Sequence, residues 1–219
     1  MSLPPLSDEI LAQTQDVWNA MQTHRFVRDI EEGRLDPAVF RRYLAYENAF
    51  VETAIVIFGY SLVKAPGLEE QRWLIGVLKA LSEEQISYFC RAFDSLDVPE
   101  AEWRDIALPP AVGAFRDGML TIAAHGQYLD GITAMFAAEW MYWTWCKRAA
   151  GRIISDPVLR RWVDLHAAEE FADQARWLRQ QIDFRGAELG PGSRARLTGI
   201  FRRALELEID FHTAPYETV

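Results

Sequence analysis

An all-α fold, a single-domain helical bundle, is what this sequence predicts, and three observations predict it. Apolar residues recur at spacings of three and four, runs of alternating apolar and polar residues are missing, and half of the 219 residues are hydrophobic. The first two are the signature of helices with one buried face, and the third supplies enough apolar surface for one sizeable core. No internal repeat, low-complexity tract or long linker divides the chain, so residues 1–219 are expected to form one domain, with 1–6 a flexible start.

The elements follow in order. Ser7-Asp8-Glu9 caps and charges a first helix to about Thr23, with Ile10, Leu11, Thr14, Val17, Trp18 and Met21 facing inward. A short helix covers Phe26 to Glu32 and Gly33 breaks it. Asp36-Pro37 supplies an N-cap and a first-turn proline for a long helix to about Lys64, which Pro66-Gly67 ends. Residues 68–95 form one helix with Trp73, Leu74, Val77, Leu78, Leu81, Ile86 and Phe89 inside. Pro99 to Ile106 is a short helix, and Pro109-Pro110 begins another that closes at His125-Gly126. A helix over 128–150, a break at Gly151, an Asp156-Pro157 restart to about Phe184, a loop over Gly186 to Ser193 and a last helix from Arg194 to about His212, capped by Ser193, complete the chain. None carries a sustained heptad, which favours a compact bundle over a coiled coil.

Charge and cysteine usage limit the functions. The net charge of −9 is spread along the chain, which argues against a basic face for nucleic acid. The longest apolar stretch, Ala54 to Val63, is too short to span a bilayer, and no charged start followed by an apolar core marks a targeting segment. Cys90 and Cys146 fit a reducing compartment and make no metal-binding pair, so a cytoplasmic protein without disulfide, metal or cofactor is expected.

In a helical bundle a site is built from polar side chains that interrupt apolar faces, and four places qualify. Tyr43, Glu47 and Phe50 share a face at spacings of four and three. Glu139 stands among Phe136, Trp140, Trp143 and Trp145, with Tyr142 three residues on. A carboxylate buried there costs several kcal/mol unless it is bonded, paired or protonated, so its pKa is expected to rise toward neutrality. His166 falls on the face of Trp162, Glu169 and Glu170, and Glu208 lies near Phe211 and His212 in the last helix. A structural role, a tyrosine-bonded core carboxylate or a satisfied helix histidine, is the alternative at each.

These four places, in this order, resemble the TenA-type thiaminase II and aminopyrimidine hydrolase family, over nearly the whole chain. The likeness begins at His24-Arg25-Phe26-Val27 with Gly33-Arg34-Leu35 and continues through Phe40-Arg41-Arg42-Tyr43-Leu44. It implies the haem-oxygenase-like all-α fold and salvage of the pyrimidine of degraded thiamine. Glu47 stands where the family has its pyrimidine-binding aspartate, and Phe50 at the following aromatic. Phe136-Ala137-Ala138-Glu139-Trp140-Met141-Tyr142 matches the segment that carries a nucleophilic cysteine in the commoner branch, with Ala138 in the cysteine's place. This resembles a second branch that lacks the cysteine, uses glutamate, and acts on amino- or formylamino-pyrimidines. His166 replaces a family tyrosine, and Glu208, followed by Phe211, matches the glutamate of the last helix. Cys146, eight residues from Ala138, is roughly 12 Å further along the helix and cannot stand in for the thiol.

The chemistry that the resemblance implies assigns Glu139, Glu208 and His166 catalytic roles and Glu47, Phe50, Tyr43, Phe115, Tyr142 and Phe211 to substrate binding. Glu47 and Glu208 would grip the amine and ring nitrogen of a 4-aminopyrimidine between aromatic walls. Glu139 would act as general base on water or as a carboxylate nucleophile, and both roles stay open because adjacent helix positions point about 100° apart. The other readings are a non-catalytic aminopyrimidine- or thiamine-binding protein, such as the regulators described in this family, and a di-iron oxidase of the same fold. The latter wants Glu-x-x-His pairs, and His24, His125, His166 and His212 supply none. The implied partners are a small-molecule aminopyrimidine and further copies of the chain, as a dimer or tetramer, with neither nucleic acid nor membrane.

Overall fold

A computed structural model describes residues 4–217, and among them every regular element is helical. In chain order these are α1 (Leu6–Gln13), α2 (Gln15–Gln22), α3 (Arg25–Glu31), α4 (Pro37–Lys64), α5 (Leu68–Ala80), α6 (Ile86–Ser95), α7 (Glu100–Trp103), α8 (Pro110–His125), α9 (Tyr128–Ala149), α10 (Pro157–Ala167), α11 (Glu169–Gly186) and α12 (Pro191–Thr213). The expected flexible start falls outside the described residues at 1–3, and α1 already begins at the buried Leu6. No helix among the described residues is long and apolar enough to cross a membrane.

The chain forms two compact units and enters each twice, the first from residues 1–34 and 132–209, the second from 35–131 and 210–219. The first holds α1 to α3, most of α9, α10, α11 and most of α12. Its centre is aromatic: Trp145 and Trp162 stack with centroids 5.5 Å apart, Phe26 meets Trp145 edge-on at 6.3 Å, and Phe136 meets Phe201 at 5.5 Å. All five rings are fully buried. At about 25 cal/mol per Å2, each contributes roughly 1.5–3 kcal/mol, which ties α3, α9, α10 and α12 together. Around this core α1 is fastened by polar contacts. Asp183 of α11 accepts from the Ser7 amide and hydroxyl at 2.8 and 3.0 Å, and the buried Arg194 pairs with Glu9 while donating to the Gly186 carbonyl at 2.9 Å.

The second unit is organised by α4, which packs against α5 and α8. Asp36 caps it by accepting from the Ala38 amide, with Pro37 in the first turn, as the sequence implied. At its far end Lys64 donates to the carbonyls of Ala123, Ala124 and Gly126 at 2.5, 2.9 and 2.7 Å, satisfying the open end of α8 with a cation where the helix dipole is negative. Phe93 of α6 and Trp103 of α7 stack at 4.6 Å.

Four boundaries depart from the expected ones. The first helix is two, because the buried Thr14 turns its hydroxyl back onto the Ile10 carbonyl at 2.8 Å and leaves the helical backbone. Ser7 is inside α1 rather than its cap, since its polar groups go to Asp183. The 68–95 helix contains a π turn at Leu81–Gln85. Leu74 and Val77 line the core before it, Leu81 at its first residue, and Phe89, Ala92 and Phe93 after it; a regular helix would have brought Tyr88 round instead of Phe89, and the extra residue of the π turn resets the phase. Ile86, expected inside, is 39% exposed. The 157–184 helix is broken at Ala168, whose ψ of 156° is extended, so Glu169 and Glu170 open α11, where the helix dipole favours acids. The last helix starts at Pro191, a first-turn proline, and Ser193 lies within it.

Candidate active site

Glu139 is the natural starting point, since a carboxylate on an apolar helix face needs an explanation. Phe136, Ala137, Ala138 and Met141 around it on α9 are buried, and Glu139 itself is 8% exposed. Its one hydrogen bond among the described residues comes from α11, where the Gln174 amide donates to Oε1 at 2.7 Å. The other oxygen, Oε2, is buried without a partner among the described residues. Loss of hydration pushes the carboxyl up to about 7, and the Gln174 amide, which favours the ionised form, opposes that rise. At neutral pH both protonation states are therefore populated.

A second cluster lies in the same unit. The Tyr142 hydroxyl stands 3.5 Å from Glu208 Oε2, at the outer limit of a hydrogen bond, and Glu208 is buried. The Tyr142 ring meets His166 at 5.4 Å and Trp162 at 5.9 Å, while His166 lies over Trp162 at 4.1 Å and against Phe171 at 4.9 Å. Nδ1 of His166 is 2.9 Å from the Trp162 carbonyl. A carbonyl only accepts, so Nδ1 carries the hydrogen and Nε2 is the acceptor nitrogen. Enclosure among these rings lowers the imidazole pKa to about 4, so His166 is neutral at physiological pH.

The remaining expected residues sit together in the second unit. Tyr43 of α4 meets Phe211 edge-on at 5.8 Å and His212 at 5.4 Å. Phe50 meets Phe115 of α8 at 4.5 Å, and Phe115 meets Phe211 at 4.9 Å. Glu47, one helical turn from Tyr43 and three residues from Phe50, is 8% exposed. Four rings and a buried carboxylate thus gather around α4 and the end of α12. His212, fully buried beside Tyr43, belongs to this set as well.

Several expectations change. Glu169 and Glu170 do not share the face of His166, because the helix breaks at Ala168 between them; Glu169 pairs instead with Arg176 at 2.8 Å. Trp140 and Trp143 do not close around Glu139 on all sides, since both reach the surface under cations: Arg179 lies 5.0 Å from Trp140, and Lys147 and Arg176 lie 5.1 and 5.5 Å from Trp143. Glu139 and Tyr142, though three residues apart on α9, bond to different helices. Gln174 was missed. Its signal was present, because it follows Phe171 by three and precedes Leu178 by four, a polar residue set into the inner face of α11 by the same rule that picks out Glu139. Among the described residues no three His, Cys, Asp or Glu side chains form a metal-binding group, and both cysteines are free thiols, Cys146 fully buried.

The chain is also similar to known proteins along nearly all of its length. The family described as TENA/THI-4/PQQC matches residues 11–218. A protein of Halalkalibacterium halodurans named aminopyrimidine aminohydrolase is 24% identical over 206 residues, 93% of this chain and 92% of its own. One of the same name from Helicobacter pylori is 19% identical, covering 97% and 99%. In structure the chain is similar to a TenA homologue from P. horikoshii, with a TM-score of 0.88, 19% identity and coverage of 97% and 99%.

Proposed function

The chain belongs to the TENA/THI-4/PQQC family, and from that premise we propose that it is an aminopyrimidine hydrolase of thiamine salvage, acting on C–N bonds. The substrate is 4-amino-5-aminomethyl-2-methylpyrimidine or its N-formyl derivative, and the product is the hydroxymethylpyrimidine. The relatives named aminopyrimidine aminohydrolase, aligned along nearly all of the chain, support the reaction class.

One observation carries the mechanism: Glu139 titrates at about 7 with one oxygen held by Gln174 and the other without a partner. In the reaction the bond from the exocyclic carbon to nitrogen breaks and a bond to a water oxygen forms. The departing nitrogen, leaving as ammonia or, from the N-formyl derivative, as formamide, needs a proton and the incoming water must lose one. A carboxyl present in both states at neutral pH can do each in turn, which favours general acid–base work over nucleophilic attack. Glu208 and Tyr142 hold the polar edge of the pyrimidine, and His166, neutral and accepting at Nε2, receives a hydrogen bond rather than giving a proton. For Tyr43, Glu47, Phe50, Phe115 and Phe211 the binding roles rest on the resemblance, supported by their ring packing and the burial of Glu47.

The unbroken family match over 11–218 supports one functional domain, and the free cysteines support a cytoplasmic setting. A dimer or tetramer is the assembly that the resemblance implies, and gel filtration reads it. The decisive assay incubates the protein with thiamine, the aminomethylpyrimidine and its N-formyl derivative and follows hydroxymethylpyrimidine. Release from the last two is expected. Preferential cleavage of thiamine overturns the glutamate-branch assignment.

A further inference from the structure

The contact that Gln174 makes has a chemical asymmetry. An amide N–H can only donate, so the Glu139 oxygen 2.7 Å from it must accept. In a neutral carboxyl the carbonyl-type oxygen is the better acceptor and the hydroxyl oxygen carries the hydrogen. The oxygen facing the amide is Oε1, and the buried oxygen without a partner among the described residues is Oε2.

We infer that Gln174 is the positioning residue of the Glu139 carboxyl: its amide holds Oε1 as the accepting oxygen and confines proton gain and loss to Oε2. The inference rests on the proposed role of Glu139 and adds which of its atoms exchanges the proton and what selects it. Gln174 suits this because it is neutral. A lysine in its place would trap the carboxylate, and an aliphatic side chain would leave Oε1 bare and the acid protonated.

No formal charge complicates the reading. Besides Glu139, the charged and titratable groups on the helices that carry the two clusters are Tyr128, Asp130, Tyr142, Cys146, Lys147 and Arg148 on α9, Arg160, Arg161, Asp164 and His166 on α10, Glu169, Glu170, Asp173, Arg176, Arg179, Asp183 and Arg185 on α11, and Arg194, Arg196, Arg202, Arg203, Glu206, Glu208, Asp210 and His212 on α12. None of them shifts the Glu139 carboxyl, which burial pushes up and the Gln174 amide draws back down. Arg176 is occupied by Glu169 and Asp173, and Arg179 by Asp8.

The test follows the Glu139 carboxyl directly, by the infrared carbonyl band of 13C-labelled protein with Glu139→Gln as the blank, in parent, Gln174→Met and Gln174→Lys. Methionine keeps the volume and loses the donor, so the titration should move to higher pH by about one unit, a tenfold gain in proton affinity; lysine should move it at least as far downward. Opposite displacements cannot come from a site merely loosened by substitution. Midpoints that stay put, or move in the same direction in both variants, overturn the inference. The pH profile of amine release should follow the same two displacements. If the carboxyl titrations move oppositely while the parent releases no amine from either pyrimidine, the positioning role stands and the proposed reaction falls.

Discussion

Nδ1 of His166 lies 2.9 Å from the carbonyl oxygen of Trp162, four residues earlier on α10, and this one contact settles the tautomer of the ring. The imidazole is held as a neutral group with Nε2 accepting, inside a stack formed by Trp162, Tyr142 and Phe171. Its pKa of about 4 and the value of about 7 at Glu139 are displaced from their ordinary values in opposite directions by the same cause, loss of hydration.

The two displacements make opposite contributions to stability. Folded His166 has its pKa depressed from 6.5 to about 4, so its contribution is present above pH 6.5 and lost as pH falls to 4. Folded Glu139 has its pKa raised from 4.5 to about 7, so its contribution is present below pH 4.5 and lost as pH rises to 7. Each is worth roughly 3 kcal/mol at 1.36 kcal/mol per pH unit, and between pH 4.5 and 6.5 they offset one another. Relative to the parent, Glu139→Gln should therefore gain about 3 kcal/mol as pH rises from 4.5 to 7, and His166→Asn should gain a similar amount as pH falls from 6.5 to 4. Urea unfolding across that range measures both; variant curves parallel to the parent contradict the assignment.

Activity should depend on the Glu139 carboxyl as well. Glu139→Gln preserves shape and the contact with α11, and amine release from the aminomethylpyrimidine should fall by about 100-fold or more, the usual range for a general acid–base group. Unchanged kcat would transfer the base to Glu47 or Glu208.

Lys64 should matter to stability alone. Its ammonium satisfies three carbonyls at the end of α8, and Lys64→Met leaves them with no donor from α4. A loss of about 1–3 kcal/mol in chemical denaturation is expected, with KM for the pyrimidine unchanged.

Trp162 is the ring against which Trp145, Tyr142 and His166 all pack, and it is fully buried. Trp162→Ala should cost about 3–5 kcal/mol by cavity formation. Trp162→Phe should retain most of the stability, and denaturation midpoints of the pair separate ring packing from the indole itself.

Glu139 illustrates what is legible along the chain. A carboxylate among alanines and tryptophans at helical spacing had to be buried, and the raised pKa follows from burial alone. The long helix from Pro37 to Lys64 was equally readable, because an N-cap, a first-turn proline and a closing Pro-Gly are all local signals. The break at Ala168 was not, since no proline or glycine marks it; it follows from the extended backbone at Ala168 and from two glutamates that do better at a helix start than within one. The π turn at Leu81–Gln85 was hidden for a similar reason, as it exists to bring Phe89 rather than Tyr88 onto the core.

By itself the sequence determined the all-α class, most helix ends, and which polar residues interrupt apolar faces, because periodicity and capping act over a few neighbouring residues. Only the tertiary structure decided that Glu139 meets Gln174 rather than Tyr142, that Tyr142 reaches toward Glu208, and that Glu169 parts from His166. Those pairings join residues 35 to 66 positions apart, or turn on a single backbone angle. Spacing along one helix says which face a side chain takes, and only the packing of helices says what that face meets.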